Sequence, residues 1–249
     1  MSLISSVKTG RTYFVADLHL TDERPVATGR FFRFLQEEVA GADAFYILGD
    51  LFEAWVGDDH DEQVAHATAL RLKALADAGT PVYFMHGNRD FMLAGRYAVQ
   101  SSMTLLADPK RIDLYGVPTL LMHGDTLCTD DTAYQTFRRR ARHPLTLALL
   151  RRLPFALRRR LARQARAGSE SAKAGKPAAI MDVNEDAVVR VLRAQQASRL
   201  IHGHTHRPAQ HLHAVDGRDC ERWVLPDWYA RWGYVVCDAA GCALRVENL

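Results

Sequence analysis

Residues 13–19 read Tyr-Phe-Val-Ala-Asp-Leu-His, a short β-prone apolar run that breaks off into a carboxylate at Asp17 and an imidazole at His19. The same construction recurs four times along the chain: Leu48-Gly49 leads into Asp50, Gly87 into Asn88, Met122 into His123, and Gly203 into His204-Thr205-His206. Core-facing Asp, Asn and His would each need a buried partner, so packing offers no ready account of the set. Two divalent cations do account for it, since they take carboxylate, imidazole and amide oxygen at strand ends, with one carboxylate bridging ions about 3.5–4 Å apart. Asp50 is the candidate bridge. Oxygen and nitrogen donors without a thiolate suit Mn, Fe or Zn better than Mg or Ca alone. In Asp17-x-His19 and His204-x-His206 an extended backbone would put both side chains on one face, so that each pair addresses one place.

Outward from these segments the chain alternates strand and helix signals. Strands are expected at 13–17, 44–48 and 81–87. Helical periodicity lies between them at Phe31, Phe32, Leu35 and Val39, and again at Val64, Leu70, Leu72, Leu75 and Ala76 before Gly79 and Pro81. Such βαβ units build a buried, largely parallel sheet with ligand groups beyond the carboxyl ends of its strands. Two more strands, 119–124 and 199–203, flank a segment that must leave the core and return. The runs 223–226, 234–238 and 243–247 have the spacing of antiparallel hairpins. The expected fold is α/β, a two-sheet sandwich with helices outside and an inserted helical cap. The core is taken as residues 1–131 and 182–249 and the cap as 132–181.

Length and composition fit this. The 249 residues, 48% hydrophobic and 24% charged, suffice for one sizeable core with an insertion. Met1–Gly10 holds no apolar stretch behind a basic start, and no run approaches the roughly 18 apolar residues of a membrane span, so neither secretion nor membrane crossing is expected. Cys128, Cys220, Cys237 and Cys242 lack CxxC spacing and are expected to be reduced thiols. The net charge of +3 conceals an asymmetry: the cap segment carries eleven Arg, Lys173 and Lys176 against Glu170 alone, a net +12 that leaves −9 for the rest. Pro144 and Pro154 divide it into short helices, and Gly168–Pro177 reads as a flexible loop.

Taken together, DLH, GDLFEAW, GNRD, MHGD and GHTH resemble the five blocks of the calcineurin-like metallophosphoesterases, from Asp17 to His206. Most members carry His after the GN of the third block; here Arg89 stands there. GNRDFM, GDLFEAWVGDD and the leucine- and arginine-rich insertion resemble the branch that hydrolyses UDP-2,3-diacylglucosamine in lipid A biosynthesis. That resemblance implies two Mn²⁺ ions, one held by Asp17, His19, Asp50 and His206, the other by Asp50, Asn88, His123 and His204. It implies substrate contacts at Asn88, Arg89, Asp131, Tyr134, Ser169, Lys173, Lys176 and His204, with Lys173 standing where the branch is expected to carry Asn. Asp50, Asn88, Arg89 and His204 are the implied catalytic set.

The chemistry is consistent with those implications. An arginine offers a permanently charged fork to phosphoryl oxygens but no proton to a leaving group, which favours a diphosphate, whose leaving group is itself a phosphate. Leu145, Leu147, Leu149, Leu150, Leu153, Phe155, Leu157 and Leu161 offer apolar surface for two acyl chains, and the arginines suit an anionic membrane surface. The partners that the resemblance implies are an acylated UDP-sugar lipid and the cytoplasmic face of a bacterial inner membrane. Nucleic acid is not expected, because the cap has few stacking aromatics. The rivals are a phosphoesterase acting on soluble nucleotides or nucleic acid, and a non-enzymatic scaffold. His86 and His202 are read as structural or supporting, Asp125 as orienting His123, Asp90 as steadying Arg89. Trp55, Asp58 and Asp59 read by default as an exposed acidic turn, with a place bordering the substrate as the alternative.

Overall fold

The computed structural model describes residues 10–59, 61–174 and 182–249, side chains of 169–174 excepted. Two sheets face each other. The six-stranded sheet has the order β11-β10-β1-β2-β3-β4, built from β1 (Thr12–Val15), β2 (Ala44–Leu48), β3 (Val82–Met85), β4 (Met103–Leu106), β10 (Arg231–Asp238) and β11 (Gly241–Asn248). The five-stranded sheet runs β5-β6-β7-β9-β8, from β5 (Lys110–Leu114), β6 (Val117–Met122), β7 (Arg199–His202), β8 (Ala209–Val215) and β9 (Arg218–Val224). Strands β1 to β4 pair in parallel, as do β6, β7 and β9, while β8–β9 and β10–β11 are antiparallel hairpins.

The strand period of two explains why β1 is apolar throughout. Tyr13 and Val15 enter the core under the helices α1 (Pro25–Phe34), α2 (Gln63–Asp77) and α3 (Gly95–Gln100), whereas Phe14 and Ala16 enter the core between the sheets with Leu48, Met85, Leu121 and Ile201. On the far side Val188 and Leu192 of α7 (Glu185–Ala194) close a third cluster with Leu120 and Leu200. The result is the expected α-β-β-α sandwich.

Between β6 and β7 stand α4 (Thr132–Ala141), α5 (Pro144–Arg152) and α6 (Phe155–Ala174), with the breaks at the two prolines. Gly168–Ala174 is helical and not a loop; propagation from the preceding turns of α6 outweighs the unfavourable composition. Leu147 and Leu150 pack on the core, while Leu145, Leu149, Leu157 and Leu161 are exposed. Among the described residues no helix is long and apolar enough to cross a membrane.

The expectation of four reduced cysteines is corrected. Cys237 and Cys242 stand directly opposite each other in the β10–β11 register, with Cα atoms 4.0 Å apart, and form a disulfide; Cys128 and Cys220 are buried thiols outside any disulfide.

Candidate active site

Each predicted donor lies just past the carboxyl end of a parallel strand: Asp17 and His19 after β1, Asp50 after β2, Asn88 after β3, His123 after β6, and His204 and His206 after β7. Three loops come from one sheet and two from the other, so the site sits where the sandwich layers open. The loops are tied together by backbone bonds, Asp17 N–H to the Gly49 carbonyl at 3.0 Å, His19 N–H to Asp50 at 3.0 Å and Gly203 N–H to His123 at 2.9 Å. Close approach demands glycine at several places, among them Gly87, where a Cβ would fall on the Asp50 side chain and amide, and Gly203, where one would fall on Asp17 and Ala16.

Extended alternation is not what aims these side chains. Asp17, His19, Asp50, His204 and His206 all have φ between 51° and 71°, a left-handed conformation costly for residues with a Cβ and characteristic of functional sites. Nor does His204-x-His206 address one place: His204 Nδ1 lies 2.9 Å from Asn88 Oδ1, whereas His206 Nε2 lies 3.4 Å from Asp17 Oδ1.

The seven side chains converge in two adjoining groups. In one, His19 Nε2 is 4.0 Å from Asp17 Oδ1 and 3.9 Å from Asp50 Oδ2, and His206 Nε2 is 3.4 Å from the same Asp17 oxygen. In the second, Asn88 Oδ1 lies 3.1 Å from His123 Nε2 and 2.9 Å from His204 Nδ1. Donor atoms of Asp17, Asp50 and His123 lie within 4.8 Å of one another and join the two. These residues fit divalent cations on the evidence of their unmet bonds: Asp17 Oδ1 and both ring nitrogens of His19 are buried with no hydrogen-bond partner. The His123 Nδ1–H donates to the Leu48 carbonyl at 2.9 Å, which fixes the tautomer and frees Nε2 for a ligand.

Charge is distributed unevenly in the metal-free protein. Burial, then the neighbouring Asp90 and Asp17, push Asp50 up to about 7 against the pull of His123. Burial alone would depress His123, but Asp50, Asp125 and Asp17 outweigh it and raise it to about 9. Burial keeps His19 well below the ordinary histidine value, hence neutral and ready to ligate. A cation entering the site must therefore displace protons.

Around the donors, several side chains act differently from the sequence reading. Asp90 does not steady Arg89; its carboxylate accepts the amides of Leu51 at 2.7 Å and Gly87 at 2.8 Å, clamping the Asp50 and Asn88 loops together. Asp125 makes no bond to His123 but accepts from Tyr134 Oη at 2.8 Å and Arg138 Nε at 2.6 Å, and lies 3.5 Å from Arg142, anchoring α4. Trp55 is buried and Asp58 half-buried, accepting the amides of Ala94 and Tyr97 at the start of α3, so these two are structural; Asp59 is exposed, as expected, and pairs with Arg158 of α6. His86 donates to the Leu93 carbonyl at 2.7 Å and His202 is wholly buried, both consistent with supporting roles.

Arg89 stands beside the donors, its amide on Asp50 Oδ1 at 2.7 Å and its Nε buried without a hydrogen-bond partner. Tyr134 stacks on His204 with ring centroids 6.0 Å apart, and Asp131 caps α4 by accepting the Tyr134 amide at 3.0 Å. The side chains of Ser169 and Lys173, and Lys176 entirely, lie outside the described residues. Sequence reasoning missed Glu53. It lies 2.7 Å from Arg166 of α6, 3.9 Å from Arg89 and 3.6 Å from His19 Nδ1, and it accepts from Tyr229 Oη at 2.9 Å. Its one sequence signal was an acid three residues past Asp50 in the quoted GDLFEAW; Tyr229 had none.

A model of the calcineurin-like phosphoesterase family matches residues 10–208, a span containing all seven donors and Arg89. The chain belongs to this family. Among its relatives, a UDP-2,3-diacylglucosamine hydrolase from Enterobacter sp. (strain 638) is 48% identical over 94% of this chain and 97% of its own length. The protein of that name from Escherichia coli O127:H6 is 50% identical over 90% of this chain and 93% of its own. This calcineurin-like phosphoesterase is also similar to a solved archaeal phosphodiesterase, at 10% identity and a TM-score of 0.48 over 96% of this chain and 99% of the other.

Proposed function

We propose that this calcineurin-like phosphoesterase hydrolyses the diphosphate of UDP-2,3-diacylglucosamine by attack of water on the α-phosphorus, giving UMP and 2,3-diacylglucosamine 1-phosphate for lipid A biosynthesis. The observation that carries the reading is about half identity over nine-tenths of the chain to proteins of that name. The donor set and Arg89 support it. Two divalent cations, proposed as Mn²⁺, would polarise the phosphoryl oxygens and bring a water's pKa toward neutrality. Asp17, His19, Asp50 and His206 would hold one, and Asp50, Asn88, His123 and His204 the other, with Asp50 shared.

Arg89 is set to present its guanidinium to phosphoryl oxygens that gain charge as the anhydride bond lengthens. Its position is braced by Glu53 on one side and by its own amide on Asp50 on the other. No side chain need protonate the leaving group, since a phosphate monoester departs as an anion. Tyr134, held by Asp125 and stacked on His204, would border the sugar, and Asn88 would contact the phosphate. The segment 132–181, helical through Ala174, would act as a cap, with Asp131, Ser169, Lys173 and Lys176 as further contacts. Their exposed leucines beside eleven arginines suit acyl chains and an anionic bilayer, which supports a peripheral place on the cytoplasmic side of a bacterial inner membrane.

The test is turnover of UDP-2,3-diacylglucosamine with Mn²⁺ in ¹⁸O-water. The label is expected in UMP. Label in the sugar phosphate would overturn the site of attack, and no turnover would overturn the substrate.

A further inference from the structure

A second hollow of about 440 Å³, within the range of small-molecule sites, opens beside the candidate active site and shares His206 with it. It is built between the 204–208 loop, the start of β8, β9 and the residues just before and at the start of α7, and among the described residues none of α4, α5 or α6 lines it. Three arginines line it, each answered by a carboxylate: Arg207 pairs with Asp182, Arg222 lies 3.4 Å from Glu185, and Arg231 lies 3.1 Å from Asp227. A wall of paired charges is a poor home for an acyl chain and a weak one for a bare anion. It suits a neutral, polar, planar ligand rich in carbonyl oxygens and hydroxyls, which guanidinium and carboxylate can meet in turn. Pro208, Ala209 and Val224 supply an apolar surface for a ring face. An independent observation points to a ligand as well: Thr205, in the lining, has a buried hydroxyl without a hydrogen-bond partner.

Resting on the function proposed above, we infer that this hollow receives the nucleoside half of the substrate. The reacting diphosphate then lies between two unlike surroundings, a polar hollow formed by the core for uridine and, on the function proposed above, the leucine-bearing inserted helices for the acylated sugar. Asp182 and Glu185 are placed to accept ribose hydroxyls, and the arginines and Thr205 to meet the carbonyls and imide of uracil. A site built around hydrogen bonds rejects analogues that leave its polar groups unpaired, so the hollow sets which nucleoside is accepted.

The experiment has a binding arm and a kinetic arm. Uridine, without any phosphate, is titrated into the metal-free full-length protein and followed by amide chemical shifts. Shifts are expected at Thr205, Ala209, His211 and Val224 and not in α4 or α5, with adenosine at least about tenfold weaker. In the kinetic arm, kcat/KM of the manganese-loaded protein is compared for UDP-2,3-diacylglucosamine and for an analogue with methyl in place of uridine. His211→Ala, and Ala209→Trp to fill the hollow, should each reduce the preference for the uridine substrate about tenfold. Absence of shifts in the hollow, or an unchanged preference in both variants, overturns the inference. Uridine binding in the hollow together with no hydrolysis of the lipid substrate overturns the proposed function instead and leaves the nucleoside site standing.

Discussion

Replacing Asp125 by Asn removes a charge from the point where the inserted helices are fastened to the core. The carboxylate is fully buried and meets Arg138 Nε at 2.6 Å, Tyr134 Oη at 2.8 Å and Arg142 at 3.5 Å. Breaking a buried ion pair from one side costs about 3–5 kcal/mol, because the remaining charge stays desolvated. Two residual partners place this case at the low end: Arg138 keeps Asp108 at 3.8 Å, and Arg142 keeps the Gly87 carbonyl at 2.8 Å. A loss of about 3 kcal/mol lowers the melting midpoint of a chain this size by roughly 6–12 °C. Trypsin should report where the loss falls, since eleven arginines lie in the inserted segment and cleavage there should precede cleavage of the core. The pH dependence follows from the same carboxylate. Burial would raise its pKa, but the charges of His123, Arg142, His204 and Arg138 prevail and hold it below the usual range. Its contribution is therefore present above the unfolded value of about 3.9 and is lost as pH falls through the folded one, so the gap between wild type and variant should close below about pH 4. An unchanged midpoint, or a gap that persists unaltered into acid, would refute the assignment of Asp125 as the anchor.

Three further outcomes are expected. Glu53→Gln withdraws the charge that braces Arg89 and Arg166, and should lower kcat/KM by about 10- to 100-fold, a loss of about 1.4–2.7 kcal/mol. Metal content should be retained; metal lost in step with activity would place its action on His19 instead. Gly87→Ala drives a methyl into the Asp50 side chain and amide at an overpacking cost of about 1–3 kcal/mol, and metal analysis should show less than the wild-type complement of cations. Full occupancy in that variant would contradict the close approach described here. Cation binding should weaken as pH falls, about tenfold per unit for each proton displaced, because His123 at about 9 and Asp50 at about 7 hold protons in the metal-free protein. Calorimetry in buffers of different ionisation enthalpy measures that release, and a pH-independent affinity would mean these groups do not ligate.

What could be read from the sequence, and what could not, divides along physical lines. The central strands were legible because both of their faces are buried and they are continuous apolar runs, as β1, β2 and β3 are. The strands that escaped notice, β4, β5 and β8, are all at sheet edges, where one side is open to solvent and charge is favoured: β5 reads Lys-Arg-Ile-Asp-Leu and β8 exposes Gln210, His211 and Leu212. The donors were legible for the opposite reason, being residue types that a core rejects unless something binds them. Their conformations were not, since left-handed φ at five of them is imposed by loops from different strands locking onto one another. The supporting residues show the same limit. Asp90 reaches Leu51 across 39 positions, and Glu53 and Asp125 meet arginines of the inserted helices. Local pattern carries the identity of a ligand but not the partners that hold it. Glu53 illustrates the consequence: one carboxylate touches a candidate metal ligand, the candidate phosphate-binding arginine and an inserted helix, so docking of those helices and readiness of the site are coupled through a residue no motif singles out.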